Sequence, residues 1–248
     1  MSTGPARRDP FDLTGDVALV VGAAAGGLGE RAARALAARG ATVVTADLDP
    51  TDVDHRVDVT DEASVDAVVE RVLADHGRLD VLVNAAGLML RKPYDETTPA
   101  EFERVVAVNL TGTWLVDRAA GRVMAAAGRG RIVNLTTVYA ERVGPVPESA
   151  YYASKAGVVN VTRALAAELG PHGVSVNCLA PGVFYPTKMT APLGADPERL
   201  EWFAQRTMLG RLGDPDVDLD GPLLLLASPA ASYVTGQVVY VDGGWSAW

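Results

Sequence analysis

The stretch "VALVVGAAAGGLGERAARALAARG", Val17 to Gly40, constrains this chain more than any other. A short β-branched run leads into a glycine-rich turn, and the turn leads into an Ala-rich helical pattern closed by Gly40. Glycines at such a turn let the backbone approach a pyrophosphate. The helix start adds free N–H groups and a partial positive charge. Gly22, Gly26, Gly27, Leu28 and Gly29 are therefore candidate dinucleotide contacts. Either Gly26 or Gly27 can fill the middle place. No Gly-Lys-Ser/Thr follows, so the turn is not a P-loop. A turn that only packs helix on strand is the plainer alternative.

The rest of the chain repeats this alternation. "ATVVTAD" reads as a second strand. "SVDAVVERVLADHG" carries Val65, Val68, Val69, Val72 and Leu73 on one helical stripe. "LDVLVNAAG", "RIVNLTT", "VSVNCLAPG" and "QVVYVDGG" read as further strands. These strands are apolar on both faces, as in a parallel sheet covered by helices on each side. The expected fold is α/β: a single Rossmann-type, doubly wound parallel sheet of about seven strands. One domain over residues 14–248 suits the length, with a loose arm over 1–13. Phe184 to Gly213 shows little period and reads as a lid or binding loop.

Composition excludes several classes. A net charge of -9 argues against nucleic acid as a partner. The N-terminus lacks the apolar run of a signal peptide, and "LLLLA" is too short for a membrane span. The single cysteine, Cys178, sits in an apolar run and reads as core, which fits a reducing compartment. A cytoplasmic protein with no membrane contact is expected. His55, His76 and His172 share no metal-ligand spacing, so no catalytic metal is expected. No Gly-x-Ser-x-Gly elbow points to hydrolysis.

Two further features carry chemistry. Asp47 ends the second strand, eighteen residues after Gly29. A carboxylate there accepts hydrogen bonds from both adenosine ribose hydroxyls and repels a 2′-phosphate, which favours NAD over NADP. The alternative is a solvated strand-end acid. The second feature is "AYYASKAG", with one of only three lysines in the chain. On a helix Tyr151 and Lys155 are i and i+4, and Tyr152 is i+3 to the same lysine, so spacing admits both. A phenol near pKa 10 is a poor proton-transfer group at neutral pH, and a nearby ammonium lowers that value. The plain alternative is a packed tyrosine and a solvated lysine.

"VGAAAGGLG", "DV" at Asp58 and Val59, "NAAG" from Asn84 to Gly87, "VNLTG" with Asn109, "RIVNLTT", "YYASKAG", "VNCLAPG" and "YVTGQVVYVDGG" occur in the order found in classical short-chain dehydrogenases/reductases. The resemblance runs from Asp16 to Trp248. It implies that Tyr151, four residues before Lys155, is the general acid or base, leaving Tyr152 as packing or pocket wall. It implies that Lys155 lowers the tyrosine pKa and holds the nicotinamide ribose. Asn109 would bend a helix and anchor a relay water, and Thr137 would hold the substrate oxygen, with Thr136 as the alternative. Asp58 and Val59 would contact adenine, Asn84, Ala85, Ala86 and Gly87 would line the cofactor, and Pro181, Gly182 and Thr187 would approach the nicotinamide. The cofactor would be NAD and the assembly a homotetramer.

Three positions depart from the pattern. Val21 stands where a threonine is usual, the glycine turn is one residue longer, and Thr137 replaces serine. "NAAGLMLRKPYDE" and "GQVVYVDGGWSAW" look most like the gluconate 5-dehydrogenase and 2-deoxygluconate 3-dehydrogenase branch. A substrate carboxylate would then meet an Arg91–Lys92 clamp, with Tyr152 and Trp202 as further pocket residues. The plainer reading of Arg91–Lys92 is a solvated loop pair. Polyols, other secondary alcohols and 3-oxoacyl thioesters are alternative substrates, and a non-catalytic dinucleotide sensor is the alternative function.

Overall fold

The computed structural model describes residues 9–247. Each β-branched run becomes a parallel strand, and a two-residue strand, β3, joins them: β1 Val17–Val21, β2 Thr42–Asp47, β3 His55–Arg56, β4 Val81–Asn84, β5 Gly130–Leu135, β6 Val174–Pro181 and β7 Val238–Val241. Their order in the sheet is β3-β2-β1-β4-β5-β6-β7. The crossovers are α1 Leu28–Ala38, α2 Glu62–His76, α3 Pro99–Val106, α4 Gly112–Ala127, α5 Ser149–Leu169, α6 Pro197–Ala204 and α7 Asp220–Ala227. Alternation along β1 feeds two cores. Val17, Leu19 and Val21 pack with Val65 and Val68 of α2 and with Leu115 and Ala119 of α4. Ala18 and Val20 pack with Leu36 of α1 and with Leu223 and Leu226 of α7. Cys178 is fully buried, and its Sγ lies 3.1 Å from Thr162 Oγ1, so it is a core residue.

From β1 the chain winds one way to β2 and β3, and from β4 the other way to β7. The carboxyl ends of β1 and β4 therefore open the crevice of a doubly wound sheet, and the functional site is built around it. The opposite end of the sheet is held by charge. Asp80, 4% exposed, accepts from Val17 N at 2.9 Å and from Arg78 Nε at 2.7 Å, and Arg129 lies at 3.3 Å. Burial pushes its pKa up, but the Arg78 and Val17 hydrogen bonds and both guanidinium charges outweigh that and hold it below the usual value. Stability from Asp80 is thus present above the unfolded-state pKa and is lost as pH falls through the folded one. Asp80→Ala should cost about 2 kcal/mol at pH 7. Urea unfolding of both proteins at pH 7 and pH 4 checks this, and the difference should narrow at the lower pH.

Residues 1–8 of the expected arm lie outside the described residues, as does Trp248. Residues 9–13, also expected in that arm, are packed instead. Leu13 is fully buried and its N–H donates to Arg39 O, while Asp9 pairs with Arg39 at 2.7 Å. A buried leucine and a shared arginine hold the segment against the end of α1. Phe184 to Gly213 is more regular than expected. It contains a 3₁₀ turn over Ala191–Ala195 and then α6, which Asp196 caps by accepting from Arg199 N.

Candidate active site

The glycine turn leaves the end of β1 with Gly22 in the left-handed region (φ +81°), and a Cβ there would lie 2.4 Å from Ala86 N. A Cβ on Gly29 would lie 2.1 Å from Gly22 O. The turn is thus folded tightly on itself and against the loop after β4, with no room for a side chain at Gly22 or Gly29. Gly26 takes the second left-handed position (φ +78°), and Gly27 is the extended N-cap of α1. The extra residue is absorbed by this division, so both glycines serve the turn. Val21 is fully buried, and the turn's tie to its neighbour comes from elsewhere. Gly22 N donates to Ala46 O at 2.8 Å, and Ala24 N donates to Asp47 Oδ2 at 2.9 Å. Asp47 therefore faces the turn from the end of β2. This is a cradle with a helix N-terminus at its floor and a carboxylate at one rim, and it fits a dinucleotide.

The second half of the site lies across the crevice. Between α3 and α4 the helix widens into a π-turn, Ala107–Thr111, with Asn109 at its centre. Asn109 is fully buried. Its Oδ1 accepts from Leu88 N at 2.7 Å, and its Nδ2 donates to Leu88 O at 2.9 Å and to Ser154 Oγ at 3.0 Å. Ser154 Oγ in turn donates to Tyr151 O at 2.8 Å. The loop after β4 and the start of α5 are thus locked in one register. Lys155 Nζ donates to Leu135 O at 2.8 Å and lies beside Gly87, whose Cβ would be 3.6 Å away.

Electrostatics differ from the expectation in one respect. Burial pushes the Tyr151 phenol well above its ordinary value. Glu148 adds to the rise, and a hydrogen bond with Thr137 opposes it. Burial also pushes Lys155 down to about 8. The lysine turns toward the Leu135 carbonyl, so it does not set the tyrosine's pKa in this arrangement. Thr137 rather than Thr136 reaches the tyrosine. Thr136 Oγ1 is spent on Lys155 O at 3.0 Å, where it steadies α5.

Other expected residues divide into those at the crevice and those turned away. Ala85, Ala86 and Gly87 run along it, with Ala85 N donating to Val21 O. Asn84 offers only its backbone there. Its side chain is 2% exposed and points inward, with Nδ2 at 3.4 Å from Thr113 O and from Asp117 Oδ1. Val59 packs against Gly112, and Asp58 accepts from Thr60 N and Oγ1, which holds its carboxyl low. Thr137 Oγ1 reaches Pro181 O at 3.5 Å, and Gly182 N donates to Val241 O. Thr187 shares a 2.8 Å bond with Thr190 Oγ1 in the segment after β6.

Arg91 and Lys92 do not form a joint clamp. Arg91 Nε donates to Glu148 Oε1 at 2.8 Å, and Lys92 Nζ donates to Glu101 at 2.9 Å. Each cation is claimed by a separate carboxylate. Tyr152 Oη donates to Val146 O at 2.9 Å, and its ring lies 6.3 Å from that of Tyr151, which makes it a wall. Trp202 stands on α6, in ring contact with Phe203 and Trp245.

Sequence reasoning gave no role to Ser154, Lys188 or Glu30. Lys188 N donates to Gly26 O at 2.7 Å and so ties the segment after β6 to the glycine turn. Glu30 Oε2 accepts from Gly26 N at 2.7 Å. The rarity of lysine was the one available signal for Lys188. The other two sit at ordinary helix positions.

A glycine cradle at the crevice of a doubly wound sheet, facing a buried Thr–Tyr–Lys group, defines a dinucleotide-binding oxidoreductase. The family model described as enoyl-(acyl carrier protein) reductase matches residues 22–246. The chain belongs to the short-chain dehydrogenase/reductase family, and it acts on CH–OH groups. It is 42% identical to cis-4-hydroxycyclohexanecarboxylate dehydrogenase of Sinomonas cyclohexanicum, over 93% of this chain and 96% of that one. It is 39% identical to galactitol 2-dehydrogenase (L-tagatose-forming) of Cereibacter sphaeroides, over 97% and 99%. A gluconate 5-dehydrogenase from Burkholderia cenocepacia, solved in complex with NADP and tartrate, superposes with a TM-score of 0.91 at 34% identity, covering 97% of this chain and 98% of that one. No helix among the described residues is long and apolar enough to cross a membrane.

Proposed function

We propose that this chain interconverts a secondary alcohol and its ketone with NAD(H), in preference to NADP(H), on a small hydroxy acid (sugar acids included) or a polyol. The observation that carries the reading is the buried Tyr151 beside Thr137, across the crevice from the glycine cradle. The dinucleotide, when bound, supplies the hydride acceptor or donor. The chain's own residues do the rest. Thr137 Oγ1 holds the substrate oxygen beside Tyr151 Oη. In reduction Tyr151 Oη gives its proton to the substrate oxygen and becomes phenolate, and in oxidation the phenolate form takes the hydroxyl proton. Lys155 keeps its positive charge below about pH 8 and presents it next to Gly87. Asn109 and Ser154 fix the helix that carries both groups.

Asp47 supports the NAD preference, because its charge stands at the rim where a 2′-phosphate would sit. The names of the relatives support hydroxy acids and polyols. Trp114 on α4 and Phe102 on α3 are 40% and 38% exposed, and they support burial of these helices in a homotetramer. The lone buried cysteine supports a cytoplasmic setting. The test is NADH formation from gluconate, galactitol and cis-4-hydroxycyclohexanecarboxylate, with NADP in parallel. At least one should be oxidised, faster with NAD, by a species that light scattering sizes as four copies. Silence on all three with NADH tightly bound would sink the reading.

A further inference from the structure

One level of the sheet is polar where its surroundings are apolar. In the strand register Asn84 of β4 lies beside Asn134 of β5, and Asn134 lies beside Cys178 of β6. Two residues earlier on the same face stand Leu82, Ile132 and Val176 of the core. Asp117 of α4 and Thr162 of α5 roof the polar row, and both are fully buried. Asn134 Nδ2 donates to Asp117 Oδ2 at 2.7 Å and to Thr162 Oγ1 at 3.0 Å, and Cys178 Sγ lies 3.1 Å from the same Oγ1. Asn84 Nδ2 lies 3.4 Å from Asp117 Oδ1.

This row is short of donors. Asn84 Oδ1 and Asn134 Oδ1 are both buried without a partner among the described residues. An ionised Asp117 only accepts, so it adds to the surplus of acceptors. No cation offsets it, because its partners among the described residues are the two amides. A neutral Asp117 removes the buried charge and supplies a missing O–H.

We propose that Asp117 is a positioning residue of the dehydrogenase site, a neutral carboxylic acid that joins the cofactor wall to the strand end that anchors Lys155. The inference rests on the dehydrogenase reading above. Asn84 is followed by Ala85, whose N–H donates to Val21 O, and by Ala86, against which Gly22 is folded. Asn134 is followed by Leu135, whose O accepts from Lys155 Nζ at 2.8 Å. Asn84 Nδ2 also lies 3.4 Å from Thr113 O, and Thr113 Oγ1 donates to Asn109 O at 2.7 Å. One acid thus holds the two amides from which the cofactor wall and the lysine's anchor continue.

The surroundings of Asp117 set its response to pH. Burial pushes it up to about 7, against the pull of the Asn134 and Asn84 hydrogen bonds. From β6 it faces the Cys178 thiol, which burial pushes up to about 12 and so keeps neutral. Lys155 and Arg163 of α5 act on that thiol. α2 presents Val65, Val68 and Val69 to the adjoining core, and β4 and β5 offer only the amides. The folded-state value lies above the ordinary 3.8, so the folded chain holds an extra proton between the two. On this group's account stability falls as pH rises from about 4 through about 7. Ionisation leaves a charge without a counterion and turns the O–H into one more acceptor. The two amides then re-aim, with the backbone they carry.

The test uses the intact chain and Asp117→Asn, which keeps the shape and cannot ionise. The infrared difference between parent and variant at pH 6 should contain the carbonyl stretch of a protonated acid, and the band should be gone at pH 9. Between pH 6 and pH 8 the parent's affinity for NADH, followed by NADH fluorescence, should fall about tenfold more than the variant's, in step with the neutral fraction of the acid. Lys155 titrates at about 8 in both proteins, so the ratio isolates Asp117. The variant's melting temperature relative to the parent's should rise from pH 5 to pH 8. Should the variant fail to fold, carbon-13 carboxyl shifts of the parent decide: one aspartate should titrate at about 7, with NADH affinity falling along the same curve. Absence of the protonated-acid signal, a parent-to-variant ratio of NADH affinity that is the same at both pH values, or a parent that gains on the variant as pH rises overturns the inference. This pH-dependent NADH affinity without oxidation of any alcohol would leave Asp117 in its role and remove the dehydrogenase reading instead.

Discussion

Tyr151→Phe should lower turnover by about a thousandfold while leaving the affinity for NADH within about twofold of the parent. The substitution removes one oxygen and keeps the ring. That ring is 5% exposed and packed against Tyr152, so the shape of the site persists. The backbone carbonyl of residue 151 still accepts from Ser154, and Asn109 still fixes Ser154, so α5 keeps its place. The cradle at Gly22 to Gly29 lies on the opposite lip. What disappears is the atom that gives or takes the proton at the substrate oxygen. Stopped-flow hydride transfer, together with a fluorescence titration of NADH, separates the two effects. Undiminished turnover would mean that another group moves the proton; the sensor alternative predicts no turnover to lose.

Asp47→Ser should move the ratio of kcat/KM for NAD over NADP toward NADP by about a hundredfold, from two contributions. NAD loses a charged acceptor for its ribose hydroxyls, and NADP loses a repulsion. The same variant should melt at a lower temperature than the parent. Asp47 Oδ2 is the acceptor for Ala24 N, and Oδ1 takes Asp49 N at 3.2 Å, so the carboxylate also shapes the turn. Steady-state kinetics with both cofactors and a thermal scan check the pair of outcomes. An unchanged ratio would show that discrimination lies elsewhere on the rim.

The elements that could be read from residue order were those whose signal is local. The run from Val17 to Gly40 contains its own strand, turn and helix start, and α1 begins only two residues earlier than the pattern of "ERAARALAARG" implies. The stripe at Val65, Val68, Val69 and Val72 is buried as its spacing requires. β3 is two residues long, and no periodicity can reveal it. α6 lay unrecognised among prolines and glycines, although Asp196 and Pro197 form an ordinary cap and first turn.

In the site, Tyr151, Lys155 and Asn109 were legible because their spacing or their motif is distinctive. Their relations were not. Arg91 and Glu148 are 57 positions apart, and only the folded chain shows that the acid claims the arginine. Asn84 belongs to a recognisable motif, yet whether its amide faces the crevice or the core depends on α4. Tyr139, Trp202 and Trp245 likewise come from three separate segments, and only the folded chain brings their rings together.

The π-turn at Ala107–Thr111 has a consequence for how this chain can change in length. A wide turn accommodates one residue more than a regular helix would, and each residue turns a helix by about 100°. Downstream of it, Leu115, Val116, Ala119, Ala120 and Met124 of α4 are all buried. Deleting one residue inside the turn would make the helix regular and leave that face in the core, whereas deleting one from α4 itself would rotate every later residue away from its partners. The widened turn thus acts as an expansion joint: it takes up one residue and keeps the phase of the helix on either side.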